Sequence, residues 1–112
     1  MDLGLKNKVA IITGGTKGIG GGAAEVLAKE GCNLALVYRS DDEGSIAFCN
    51  YLKDEYKIDV LPVKADVTSA QAREEIWEKT FEHFKTVDIL INNANCGGPG
   101  RGADFLNITY QQ

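Results

Sequence analysis

Lys8-Val9-Ala10-Ile11-Ile12-Thr13-Gly14-Gly15-Thr16-Lys17-Gly18-Ile19-Gly20 is the stretch on which the fold turns. Lys8 to Thr13 is a short apolar run bounded by glycine, which predicts a buried strand. Ile19, Ala23, Val26 and Leu27 then recur at helical spacing, and Gly31 stops the pattern. A strand that breaks into glycines and re-forms as a helix leaves backbone amides at the helix start. Those amides and the helix dipole attract an anion, and glycine lets the backbone turn and a diphosphate come close. The bland alternative, a plain tight turn, has no need of a strand before, a helix after and a β-α-β unit around it.

Outward from this loop the pattern alternates. Asn33 to Tyr38 reads as a second strand. Ser40 with Glu43 has the spacing of a capping box and opens a helix to about Tyr56, with Phe48, Cys49, Leu52 and Tyr56 on one face. Ile58 to Lys64 is a third strand, and Pro62 points to an edge position. Thr68 and Gln71 suggest a second capping box, followed by a helix striped with Ile76, Trp77, Phe81 and Phe84, an aromatic stripe expected to pack in the core. Val87 to Asn92 is a fourth strand, followed by a glycine-rich loop. Helices between successive strands imply right-handed crossovers and parallel pairing. The expected fold is α/β, a doubly wound Rossmann-type parallel sheet built as β-α-β-α-β-α-β.

Composition narrows the function classes. The chain has 112 residues, the size of a single domain, with 44% hydrophobic and 25% charged residues, close to globular averages. Its formal net charge of -4 gives no basic footprint for nucleic acid. No apolar run reaches the roughly 18 residues of a membrane span. The opening MDLGLKNK lacks the layout of a secretory signal, so a cytoplasmic location is expected. Cys32, Cys49 and Cys96 are widely spaced, with no CxxC and only His83 nearby in type, which suits reduced thiols rather than a disulfide framework or a zinc site. Of 13 glycines, six fall between Gly14 and Gly22 and four between Gly97 and Gly102.

The loop spacing is T-G-x-x-x-G-x-G, and with it the sequence resembles the short-chain dehydrogenase/reductase family. Lys64-Ala65-Asp66-Val67-Thr68, Asn92-Asn93-Ala94 and Phe105-Leu106-Asn107-Ile108-Thr109 agree with the resemblance in order. It implies an NAD(P) site across the carboxyl ends of the strands. Gly14, Gly18 and Gly20 would bracket the phosphates, with Thr16 and Ile19 nearby. Asp66 and Val67 match the pair set against adenine, although Asp66 could equally support a helix cap at Thr68. Asn93 and Ala94 match residues lining the nicotinamide-side ribose; Asn95 replaces the family's next glycine. Gly21-Gly22 in the first helical turn, each costing about 1 kcal/mol relative to alanine, should loosen helix docking.

Charge indicates the cofactor. An NAD site wants an acid at the end of the second strand, whereas a 2′-phosphate wants a cation. That end reads Val37-Tyr38-Arg39-Ser40, and Lys17 adds a second charge within the glycine loop. NADP(H) is therefore expected over NAD(H), with Arg39, Ser40 and Lys17 at the phosphate, unless both cations are merely solvated. Asp41 and Asp42 read as helix N-terminal acids, His83 as a dipole partner at a helix end, and Cys96 as an incidental thiol.

The family's proton donor is a tyrosine with a lysine four residues on, and no such pair occurs here. Tyr110 is expected in the first turn of the next helix. Residues 1–112 thus read as a single dinucleotide-binding domain, apparently cut before the catalytic and substrate-binding part. The expected function is the cofactor-binding portion of an NADP(H)-dependent oxidoreductase, with no catalytic residue of its own. The alternative is a naturally short, non-catalytic nucleotide-binding or interaction module. Expected partners are the nicotinamide dinucleotide and the remainder of a parent chain, or self-association through an exposed fourth strand, guarded only by Asp88.

Overall fold

Every residue of Val9–Thr13 is buried, which is why the run is apolar without alternation: this strand, β1, lies in the middle of the sheet and is covered on both faces. The computed structural model describes residues 4–93 and 107–110. After β1 come α1 (Gly18–Lys29), β2 (Asn33–Tyr38), α2 (Asp42–Tyr56), β3 (Val60–Lys64), α3 (Ala70–Phe84), β4 (Ile89–Asn92) and β5 (Asn107–Tyr110). The sheet order is β3-β2-β1-β4-β5. The first four strands run parallel, with Ile11 opposite Ala35 on one side and Leu90 on the other. β3, which carries Pro62, has a single partner strand, as its proline predicts.

Successive strand residues point to opposite faces, and the two faces build two cores. Ala10, Ile12, Leu34, Leu36, Val60, Ile89 and Ile91 pack under α1 and α2, meeting Ala24, Ala28, Cys49 and Leu52. Ile11, Ala35, Val37 and Val63 face the other way, toward Ile76 of α3. Because the strands run parallel, all four end along one edge, where Thr13, Tyr38, Lys64 and Asn92 stand. Among the described residues, no helix is long and apolar enough to cross a membrane.

Four expectations are corrected. Neither capping box forms. Asp41 caps α2 by accepting from the Gly44 amide at 3.3 Å, and its left-handed backbone (φ 60°) breaks the helix start away from Ser40. Ser69 caps α3, accepting from the Ala72 amide at 3.2 Å, because Thr68 gives both its amide and its hydroxyl to Asp66. Phe81 is 48% exposed and stacks on Trp77 from the solvent side, since the stripe rotates away from the sheet over the turn. Trp77 and Phe84 do pack on the core.

The fourth correction concerns β4. Asn107–Tyr110 is not the approach to a helix but a strand antiparallel to β4, with Ile91 opposite Ile108 and Ile89 opposite Tyr110. An apolar strand edge with unpaired backbone is a template for further pairing, and Ile108, Thr109 and Tyr110 are good strand formers. The expected exposure of β4 is therefore met within the chain. Asp88 does not guard that edge: its carboxylate accepts from the Val9 amide at 2.9 Å while its own amide donates to the Val9 carbonyl, closing the β1–β4 pairing at its start. The Phe105 and Leu106 positions of the same motif lie outside the described residues.

Small features agree with the sequence. Asp42 stands in the first turn of α2, paired with Lys64 at 3.0 Å, and His83 stands in the last turn of α3, with Nε2 2.8 Å from Asp59. Cys32 and Cys49 are buried free thiols; Cys96 lies outside the described residues.

Burial pushes the Cys32 thiol up to about 12 and the Cys49 thiol up to about 11. A Cys96→Ser chain should therefore resist a thiol-labelling disulfide reagent at pH 8 while folded and release two thiols per chain in denaturant. The unfolded thiols ionise near 9.0, so this contribution to stability is intact below that pH and is lost as pH rises toward the folded values. Rapid labelling of the native Cys96→Ser chain would contradict the packing described.

Candidate functional site

Among the described glycines, the one with least room for a side chain lies just past the end of β1, at the start of α1. A Cβ placed on Gly20 would sit 2.0 Å from the Gly14 carbonyl oxygen and 2.7 Å from Nδ2 of Asn93. No side chain fits there, so the first turn of α1 rests directly on the loop. Gly14 (φ 62°) and Gly18 (φ 55°) hold left-handed backbone at the two bends that make this approach possible. The Gly15 amide donates to the Val37 carbonyl at 3.1 Å, tying the loop to β2.

On the other side the loop is tied to β4. The Thr13 hydroxyl donates to Oδ1 of Asn92 at 3.0 Å and accepts from the Asn93 amide at 2.9 Å. The Asn93 side chain donates to the Gly14 carbonyl at 3.4 Å. β1 and β4 flank the point where strand order reverses, the usual ligand crevice of such sheets. Asn93 is thus held against the glycine loop; Ala94 and Asn95 lie outside the described residues.

The start of α1 differs from the other two described helices. Asp41 and Ser69 cap α2 and α3 with side-chain oxygens, but the residue before α1 is Lys17, extended and without a side-chain cap; like α3, α1 has no acid in its first turn. The first amides of α1 thus have neither an intrahelical acceptor nor a capping side chain, and the helix dipole adds partial positive charge. Ile19 presents its side chain to solvent beside them, 64% exposed. The Gly21-Gly22 pair does not loosen this docking uniformly. A Cβ on Gly21 would lie 3.4 Å from Thr16, in ordinary contact, while one on Gly22 would meet open space.

Beside the loop, at the end of β2, lies a cavity of about 120 Å³ lined by Gly14, Thr16, Lys17, Tyr38, Arg39 and Ser40. Lys17 Nζ stands 3.3 Å from Oδ2 of Asp41, and this hydrogen bond, with the Gly44 amide behind it, holds the Asp41 carboxyl below its usual range. Among the described residues Arg39 forms no ion pair, though its charge reaches Asp66 and helps lower that carboxyl; the larger causes are the Thr68 amide at 3.0 Å and hydroxyl at 2.7 Å. Asp66 thus braces the Thr68 turn, not a Thr68 cap, and its side chain is exposed. Val67 turns the other way, into a second cavity of about 300 Å³ between α3 and the sheet, with Ile11, Ile76, Trp77 and Leu90.

Two contributors escape sequence reasoning. Ser45 is 1% exposed and its hydroxyl bridges Thr16 Oγ1 at 3.0 Å and the Ser40 carbonyl at 3.5 Å, locking the glycine loop to the start of α2. The available signal was a serine at helical spacing from Cys49 and Leu52. Tyr38, the last residue of β2, lines the cavity without any motif to mark it. Among the described residues, no group of His, Cys, Asp and Glu could hold a metal.

The arrangement offers uncapped amides at the start of α1 and two cations, Lys17 and Arg39, in the cavity beside them, and the space at Gly14 and Gly20 is cleared by the absence of side chains. Comparison with known proteins leads the same way. A family model described as short chain dehydrogenase matches residues 8–112. The chain is 42% identical to the L-xylulose reductase of Aspergillus niger, matched over 84% of this chain and 35% of that one. It is 41% identical to the 12alpha-hydroxysteroid dehydrogenase of a Clostridium species, over 83% of this chain and 38% of that one. It therefore spans little more than a third of these relatives. The crystal structure of L-sorbose reductase from Gluconobacter frateurii, complexed with NADPH and L-sorbose, superposes with a TM-score of 0.82 at 38% identity, covering 88% of this chain and 37% of that one. The NADPH-dependent 3-quinuclidinone reductase of Rhodotorula rubra gives 0.80 at 34% identity, covering 86% and 36%. With a family model matching nearly all its residues and solved relatives superposing on its fold, the chain belongs to the short-chain dehydrogenase family.

Proposed function

We propose that this chain is the cofactor-binding portion of an NADP(H)-dependent oxidoreductase that interconverts a carbonyl and an alcohol by hydride transfer. The observation that carries the cofactor preference is the cavity at the end of β2, which offers Lys17 and Arg39 and has no acid among its lining residues. Arg39 presents a planar fork suited to a phosphate, and Ser40 and Thr16 supply hydroxyls beside it. Gly14, Gly18, Ile19 and Gly20 take the diphosphate side, Asp66 with the backbone of Val67 the adenine side, and Asn93 with Ala94 the nicotinamide-side ribose. The bound dinucleotide supplies the hydride; these residues hold it, orient it and exclude water from its phosphates. NADPH bound in the related L-sorbose reductase structure, and the NADPH dependence of the related 3-quinuclidinone reductase, support the same choice. A cytoplasmic location accompanies it, since two buried free thiols suit a reducing compartment.

A second possibility, a self-standing nucleotide-binding module, draws support from β5, which covers β4 and completes the sheet within the chain. Self-association through β4 would require β5 to be displaced. Turnover separates the two functions from each other only in a longer chain, whereas binding is common to both.

Three outcomes are expected. In fluorescence titrations the chain binds NADPH more tightly than NADH, and Arg39→Asp removes about 10- to 100-fold of the NADPH affinity, the worth of a charged hydrogen-bonded pair; equal affinities in the parent chain would sink the preference. Gly20→Ala abolishes dinucleotide binding, because its Cβ meets backbone, whereas Gly22→Ala leaves binding intact and stabilises the fold by about 0.5–1 kcal/mol. Binding that survives in Gly20→Ala would remove the loop from the site. Finally, the purified 112-residue chain turns over no carbonyl substrate, since its sequence holds no tyrosine-lysine proton donor of the family's kind; measurable reduction with NADPH would reveal another donor.

A further inference from the structure

The Lys17–Asp41 pair stands at the mouth of the cavity that the cofactor preference rests on. Lys17 lines that cavity, and Asp41 follows its last lining residue, Ser40. Asp41 is held from two sides. Its left-handed backbone turns the carboxylate back over the start of α2, where Oδ1 accepts from the Gly44 amide at 3.3 Å, and Oδ2 faces Lys17 Nζ at 3.3 Å. Room for the carboxylate depends on Gly44, since a Cβ there would fall 2.3 Å from Oδ2. The capping bond fixes Asp41 to the helix, so the carboxylate cannot follow Lys17 if the lysine moves.

The charges around the cavity are few. Lys17 and Arg39 are the cations among its lining residues; Asp41 neutralises the first, while Asp66 lies toward the second and Asp42 is paired with Lys64. A ligand phosphate between Lys17 and Arg39 must compete with Asp41 for the lysine. A ribose with a free 2′-hydroxyl has no such contest.

We infer that Asp41 is a specificity-determining positioning residue: it parks Lys17 at the cavity mouth and penalises a 2′-phosphorylated dinucleotide relative to an unphosphorylated one, narrowing the selectivity that Lys17 and Arg39 provide. This deepens the NADP(H) proposal and rests on it for the place of the phosphate. The consequence is directional. Removing the carboxylate charge tightens NADP(H), through Lys17, and leaves NAD(H) largely unchanged.

The test is a double-mutant cycle on the full chain, read as dissociation constants for NADPH and NADH. Asp41→Asn is the informative variant because asparagine caps a helix about as well as aspartate. Its NADPH affinity should rise roughly two- to fivefold, the range for releasing an exposed ion pair, with NADH affinity unchanged. In a Lys17→Ala background the same substitution should leave the NADPH-to-NADH affinity ratio where it was. A thermal midpoint for Asp41→Asn close to that of the parent confirms that the cap is retained. Equal changes for both cofactors, weaker NADPH binding, or the same gain with and without Lys17 would overturn the inference. Failure of the broader proposal looks different: the parent chain would show no NADPH preference. A ratio that still shifts on Asp41→Asn only when Lys17 is present would then uphold the role of Asp41 by itself.

Discussion

The contact between the first turn of α1 and the Gly14 carbonyl governs the rest of the molecule. A helix can lie this close to the loop only if position 20 has no side chain, and the approach aims the uncapped amides of α1 at the edge where four parallel strands end. The sheet order then sets β2 on one side of the loop and β4 on the other. From β2 come Tyr38, Arg39 and Ser40; from β4 come Asn92 and Asn93, which are hydrogen-bonded to Thr13. Displace α1 by the width of a methyl group and the glycine loop, the Asn93 brace and the cavity beside Lys17 all lose their common reference.

The binding proposed for this molecule would rest on backbone more than on side chains. The amides of the loop are positioned by glycine conformations and by bonds to neighbouring strands, so they need no rearrangement to meet an anion. Side chains enter at the margin, where they discriminate. Lys17 and Asp41 illustrate the difference: both are exposed and their ion pair is weak, so Lys17 can respond to what occupies the cavity while the loop and the capped Asp41 stay in place.

Sequence disclosed the features that depend on neighbours in the chain. The strand at Val9–Thr13, the glycine loop and the helix after it are encoded within a short span, and the alternation of apolar runs with helical stripes announces the parallel sheet. Helix caps were legible in kind but displaced by one residue, because competing bonds decide them: Thr68 was already committed to Asp66, and Asp41 entered the left-handed region after Ser40. Contacts across the fold were not legible. Nothing near Lys17 in the chain names Asp41 as its partner, no local pattern marks Ser45 as the hydroxyl beneath Thr16, and the antiparallel use of Asn107–Tyr110 depends on an open strand edge elsewhere. Asp88 reads as an edge guard in sequence and turns out to close the β1–β4 pairing.

The central claim is that the amides at the start of α1 form the phosphate site. Backbone amide chemical shifts of the isotope-labelled chain, followed during titration with NADP⁺, test it most directly. The account predicts saturable shifts at Gly14, Thr16, Gly18, Ile19, Gly20 and Arg39, all with one dissociation constant. Saturable shifts that bypass Gly18–Gly20, or none at all in a folded chain, would contradict it.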